Sequence, residues 1–144
     1  MEELLPIILA TPGLLLRYDL DIFKTMDHLL NLNIDKKLEG GLWIWDIEKN
    51  IEVYSPRFRK TLGFKNEEDF PNTPESWQKQ ILEIDLKLAL KNYNKHVETK
   101  GAWAYNQRVR YWNKKFDELI SLQCFGAVVL WEPRKIMIGM HNIN

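Results

Sequence analysis

GGLWIWDIEKNIEVYSP, residues 40–56, decides how the rest of the chain is read. Two glycines end whatever precedes them. Leu42 to Ile47 then runs as a strand that is apolar at nearly every position, whereas a half-buried strand alternates apolar with polar. Leu42, Ile44 and Asp46 point to one side, and Trp43, Trp45 and Ile47 to the other. Neither set is polar enough to be left in water, so the sheet that contains this strand needs a cover on both faces. Glu48-Lys49-Asn50 is short enough for a hairpin, with Asn50 tolerant of positive φ. Ile51 to Ser55 is the returning strand. Ser55-Pro56 reads as a helix start, Ser as N-cap and Pro in the first turn, and Gly63 stops that helix.

Outward from this hairpin the period changes twice. Upstream, Ile22, Phe23, Met26, Leu29 and Leu30 lie on one face of an amphipathic helix over residues 21–32, with Asp21, Lys24, Asp27 and His28 on the other. Thr11-Pro12-Gly13 reads as a break, and Leu14 to Leu20 fits helix or extended chain. Downstream, Asn66 to Trp77 holds Pro71 and Pro74 and reads as loop and short turns. Ile84 to Glu98 is a longer helix with an imperfect stripe at Ile84, Leu86, Leu88, Leu90, Tyr93 and Val97. Asp85 near its start suits the helix dipole. Three strands follow: Trp103 to Trp112, Leu119 to Leu130 and Lys135 to Ile143. Tight turns at 113–115 and 132–134 make them antiparallel. The expectation is an α+β chain in which five antiparallel strands form one sheet with helices on one face, plus an N-terminal amphipathic helix. The division is residues 1–39 as helical extension and 40–144 as the domain proper.

The totals narrow the function. Twenty Lys and Arg balance twenty Asp and Glu among 144 residues, so the net charge is zero. A binder of phosphate backbones needs a positive surplus, and an anionic membrane offers this chain no attraction. Nucleic acid and membrane are therefore not expected partners. The single Cys124 cannot form an internal disulfide. Leu4 to Ala10 follows Glu2 and Glu3 and contains Pro6, unlike a secretory signal. A cytoplasmic location is the expectation.

In order and spacing, several short motifs resemble those of PAS domains. Gly41-Leu42-Trp43-Ile44-Trp45-Asp46 opens the sheet. Tyr54-Ser55-Pro56 and Leu62-Gly63-Phe64 frame the first short helix. Trp77 follows the acidic turn Glu67-Glu68-Asp69, Asp85 begins the long helix, and Tyr105 and Arg108 lie on the next strand. Gly139-Met140-His141-Asn142-Ile143-Asn144 stands where the family ends in Gly-x-x-x-Asp-Ile-Thr. The likeness spans about residues 40–144. It departs at Leu82-Glu83-Ile84-Asp85, where the family often has His-Pro-Glu-Asp. It departs again at the Asn113-Lys114 turn, at the strand near Glu118 and Leu119, which lacks the usual Trp, and at the two terminal Asn.

The resemblance implies a sensory and dimerising module without catalysis of its own, some relatives holding haem, flavin or a small metabolite between sheet and helices. Candidate pocket residues are Trp45, Tyr54, Phe58, Phe70, Trp77, Tyr93 and Tyr105, with Arg108 as the polar group beside a ligand. Phe23, Met26, Leu30 and Trp43 are candidates for a homodimer interface, the 21–32 helix covering the outer sheet face of its own chain or of a second copy. No resident cofactor is expected, though a small ligand is compatible with the resemblance. A haem or metabolite sensor is the alternative. Flavin photochemistry would need a reactive Cys on the helical side, but Cys124 lies within a strand and reads as core. His96 and His28 read as surface residues, and His141 could take either face. The three His show no metal-binding spacing. Output would pass to a histidine kinase, a cyclic-dinucleotide enzyme or a separate partner, the chain being the sensor of a longer protein or freestanding.

Overall fold

The computed structural model describes residues 4–143, so Glu2, Glu3 and Asn144 lie outside the described residues. Helices α1 (Leu4–Arg17), α2 (Ile22–Asn31) and α3 (Ile34–Lys37) precede the hairpin β1 (Leu42–Asp46) and β2 (Ile51–Tyr54). Then come α4 (Pro56–Thr61), α5 (Pro74–Gln78), α6 (Glu83–Glu98) and the strands β3 (Tyr105–Asn113), β4 (Glu118–Leu130) and β5 (Ile136–Ile143). The sheet order is β2-β1-β5-β4-β3, with every pairing antiparallel. The last strand is thus the centre, joining the opening hairpin to the closing one.

The hairpin forms where its sequence places it, but its turn includes Ile47, so β1 ends at Asp46, which pairs with Ile51. Asn50 takes φ +55°. Ser55 Oγ accepts from Phe58 N at 3.3 Å and also from Leu42 N at 3.0 Å, so one cap holds both α4 and the start of β1. Gly41 has φ +89°, and a Cβ there would collide with the Phe58 backbone. Both free sheet edges are covered, which removes the hazard of unpaired strand edges. Glu52 N donates to Asn72 O on the β2 side. On the β3 side Leu82 N donates to Arg110 O, and Trp112 N to Gln80 O. Asp85 there accepts from Arg110 N, Nε and Nη2 at 2.8–2.9 Å.

Two cores fill the two faces. On the outer face Leu42, Ile44, Val53, Ile136, Ile138 and Met140 meet Ile7, Leu15, Ile22, Met26 and Leu29 of α1 and α2. The N-terminal helices therefore cover the sheet of their own chain. α1 runs unbroken through Thr11-Pro12-Gly13, where a turn was expected. Ile7, Thr11 and Leu15 stand one turn apart and are all buried, and Thr11 Oγ1 donates to Ile7 O. Burial against the sheet outweighs the amide hydrogen that Pro12 lacks. In α2 the buried stripe is Ile22, Met26 and Leu29, which leaves Phe23 exposed at its flank and Leu30 half-buried. Asp21, expected on the polar face, is the N-cap and accepts from Phe23 N and Lys24 N. His28 is half-buried, not exposed, and bonds the Tyr18 hydroxyl at 2.7 Å.

On the inner face Trp43 lies across β5. It pairs with Gly139, and a Cβ on that glycine would fall inside the indole ring. Gly139→Ala should therefore destabilise the fold by about 1–3 kcal/mol, the usual penalty for overpacking a core. Urea unfolding followed by tryptophan fluorescence reads the loss directly.

Candidate functional site

The inner face carries a small cavity between β1, β2, β3, β5 and the helices α5 and α6, with about 40 Å³ of space that water can enter. Since one water needs roughly 10–15 Å³ on that scale, on the order of three would fit. Its walls are mostly aromatic: Trp43 and Trp45 from β1, Phe58 from α4, Trp77 from α5, Tyr93 from α6, Tyr105 and Tyr111 from β3. Met137, Cys124, Ala89 and Leu90 complete the apolar lining, and Glu52 and His141 are its ionisable polar members.

Strand phase explains these positions. In the β1–β2 hairpin Trp43 faces Tyr54 and Trp45 faces Glu52, so all four share the inner side. Tyr105, Val109 and Tyr111 do the same on β3. On α6 the inward stripe is Asp85, Ala89, Tyr93 and His96, while Ile84 and Leu88 of the expected stripe are exposed. Small and polar residues face inward there because the sheet supplies partners for them, Arg110 for Asp85 and β4 for His96. Tyr93 meets Trp45 with ring centroids 5.1 Å apart.

Of the candidate pocket residues, Trp45, Phe58, Trp77, Tyr93 and Tyr105 line the cavity. Tyr54 and Phe70 sit one layer deeper, edge to face at 4.8 Å, and the Tyr54 hydroxyl donates to Thr73 O. Arg108 is elsewhere. It is exposed on the other side of β3, where its Nε donates to Ser121 Oγ. Its phase along the strand is opposite to that of Tyr105, which already excluded it from the same face. Trp43 and Met26 are buried within the chain and unavailable to an interface, Trp43 because it shares the phase of Trp45.

Glu52 is the residue that sequence reasoning passed over. It is 4% exposed. Trp77 Nε1 donates to its Oε1 at 3.1 Å. Burial pushes its carboxyl well above the ordinary range, Trp77 and Tyr54 pull it back, and the Glu75 carboxylate adds to the rise. The signal was present: with Tyr54 placed inward, period two places Glu52 inward as well. Two further polar atoms of the lining residues, Trp45 Nε1 and His141 Nδ1, are buried without a hydrogen-bond partner. His141 stacks on Phe58 at 4.7 Å, and its Nε2 meets the Tyr111 hydroxyl at 3.1 Å. Burial lowers its pKa to about 3, so the ring is neutral.

The cofactors of the resemblance do not fit. The cavity is too small for a flavin or a haem. Cys124 is buried on β4, and desolvation pushes its thiol pKa up, away from reactivity. His96 is 3% exposed, not on the surface, and both its nitrogens are engaged. Nδ1 donates to Trp103 O at 2.7 Å, and Nε2 accepts from Val128 N at 3.1 Å.

No family model matches the sequence, and no curated protein does. Solved structures do match. A sensory box histidine kinase/response regulator from Burkholderia thailandensis superposes with a TM-score of 0.62 at 20% identity, over 80% of this chain and 83% of that one. The LOV domain of a blue-light-activated histidine kinase from Erythrobacter litoralis gives 0.55 at 12%, over 74% and 96%. The PAS domain of an HTR-like protein from Haloarcula marismortui gives 0.50 at 12%, over 84% and 97%. At such identities the likeness speaks for architecture. The chain has the PAS fold.

The raised pKa of Glu52 has a stability consequence. Between the ordinary carboxylate value and the raised one, the folded chain holds a proton that the unfolded chain has released, so stability falls as pH rises through that window. Glu52→Gln removes the penalty and keeps an acceptor for Trp77. Its melting temperature should exceed the parent's near about pH 8 by at least ~3 °C, and the gap should close near about pH 4.5. Calorimetry at both pH values checks this.

Proposed function

We propose that this chain is a sensory PAS-type module without catalytic activity, acting in the cytoplasm, whose inner cavity receives a small ligand. The observation that carries the reading is the cavity's polar inventory. A buried carboxyl and two buried nitrogens without partners lie among aromatic walls. A site built only for packing would leave such groups out, because a buried polar atom without a partner costs about 1–3 kcal/mol. Trp45, Phe58, Trp77, Tyr93 and Tyr105 are the proposed contacts, joined by Glu52 and His141.

Signalling by such a module needs a ligand that binds two states unequally. The proposed output is a histidine kinase, a cyclic-dinucleotide enzyme or a separate partner. The histidine kinases among the structural neighbours support the first. Native mass spectrometry of freshly purified protein should show added mass that Glu52→Gln or Tyr93→Leu removes. Bare mass, together with an unchanged melting curve across a small-molecule library, would refute the ligand reading.

Homodimerisation is the second part of the proposal, through the outward side of α1 together with Phe23 of α2. α1 presents Leu5, Leu9 and Leu16 outward, Leu9 at 72% exposure, and Phe23 of α2 is also exposed. A row of exposed leucines on a helix whose other side is already packed suits a self-complementary contact about a two-fold axis. The parent should sediment as a dimer at high micromolar concentration, and Leu9→Glu with Leu16→Glu as a monomer of unchanged melting temperature. A parent that stays monomeric there would refute this part.

A further inference from the structure

We infer that the inner cavity is selective for a small organic ammonium ion bearing an oxygen. This deepens the ligand reading above and rests on it. The walls and the charge balance point the same way. Trp43, Trp45, Trp77, Tyr93, Tyr105 and Tyr111 enclose the space, and the faces of such rings attract cations. Glu52 is set in this aromatic box. Its hydrogen bond comes from the neutral indole of Trp77. Among the described residues, no Lys or Arg forms an ion pair with it. The charge that acts on it from outside is a second carboxylate, Glu75 of α5. Burial and acidic company keep this carboxyl from ionising, and a protonated amine beside it would supply the cation that its ionised form needs.

The remaining ionisable lining groups do not compete for that role. Tyr93, Tyr105, Tyr111 and Cys124 are pushed up by burial and stay neutral, as does the Tyr54 hydroxyl beside Glu52. His141 is neutral because its pKa is pushed down. Trp45 lines the space and its buried N–H has no acceptor; a small rotation of the ring toward the cavity would let a ligand hydroxyl oxygen provide one. The space suits a molecule of only a few heavy atoms. A neutral molecule of the same shape could fill that space, but it would not favour the ionised form of Glu52.

Binding a cation favours ionised Glu52, so it should expel a proton. Below the raised pKa, affinity should fall about tenfold per pH unit. The test compares ethanolammonium with its neutral isostere propan-1-ol by tryptophan fluorescence titration and calorimetry. Ethanolammonium should saturate and bind at least ~tenfold more tightly than propan-1-ol. It should also release protons, seen as a heat that changes with the buffer's ionisation enthalpy. Glu52→Gln, expected to fold at least as stably as the parent, should lose the preference and the proton release together. Equal responses to both probes, retained in Glu52→Gln, would overturn the charge selectivity while leaving a ligand cavity in place. No response to either would also overturn it, and the ligand reading would then stand or fall on the retained-mass experiment.

Discussion

Everything in this molecule follows from a sheet that is apolar on both faces. β1 sets the condition, since Leu42 and Ile44 face one way and Trp43 and Trp45 the other. Burying a large apolar side chain stabilises by about 1.5–3 kcal/mol, so neither face can be left wet. The two covers are unlike. The outer one is a near-continuous aliphatic contact with α1 and α2, and it is supplied by the chain's own N-terminus. The inner one is assembled from α4, α5 and α6, two of them very short, and it closes imperfectly over large rings.

That imperfection makes the cavity. Seven aromatic side chains line it, and the residue that α6 packs against it at mid-helix is the small Ala89. Among the residues around the gap are a buried carboxyl, Glu52, and two side chains with an unpartnered buried nitrogen, Trp45 and His141. Desolvation dominates for both ionisable groups, raising the carboxyl of Glu52 above the ordinary carboxylate range and lowering the imidazole of His141.

Much of the architecture was legible because period and punctuation agreed. Asn50, the Ser55 cap, the stop at Gly63 and the two faces of β1 all follow from local chemistry, although the turn takes one residue more than expected, Ile47, so that Asp46 pairs with Ile51. What could not be read was where tertiary contacts overrule local preference. Pro12 sits inside a helix because Ile7, Thr11 and Leu15 are buried together. His96 looked like a surface residue near a helix end. It is buried because β3 begins at Tyr105 opposite Gly126, which leaves the Val128 amide beyond the ladder and in need of an acceptor. Five of the eight candidate pocket residues line the cavity. Arg108 is an odd number of residues from Tyr105 on the same strand, so alternation along β3 puts it on the opposite face, where it is exposed and bonded to Ser121.

The anchoring of α6 carries a mechanical consequence. Near its first turn Asp85 is held by three bonds from Arg110, and near its last turn His96 is held by β4 and by Trp103. Between these clamps, Ala89 and Tyr93 rest against the cavity. A rod fixed at both ends does not swing like a lid or slide along its axis. A load at mid-span bows it, and the bending moment appears at the supports. A change in what fills the cavity is therefore felt at the β3 edge and at the far end of β4, on the two strands that lie farthest from the opening hairpin.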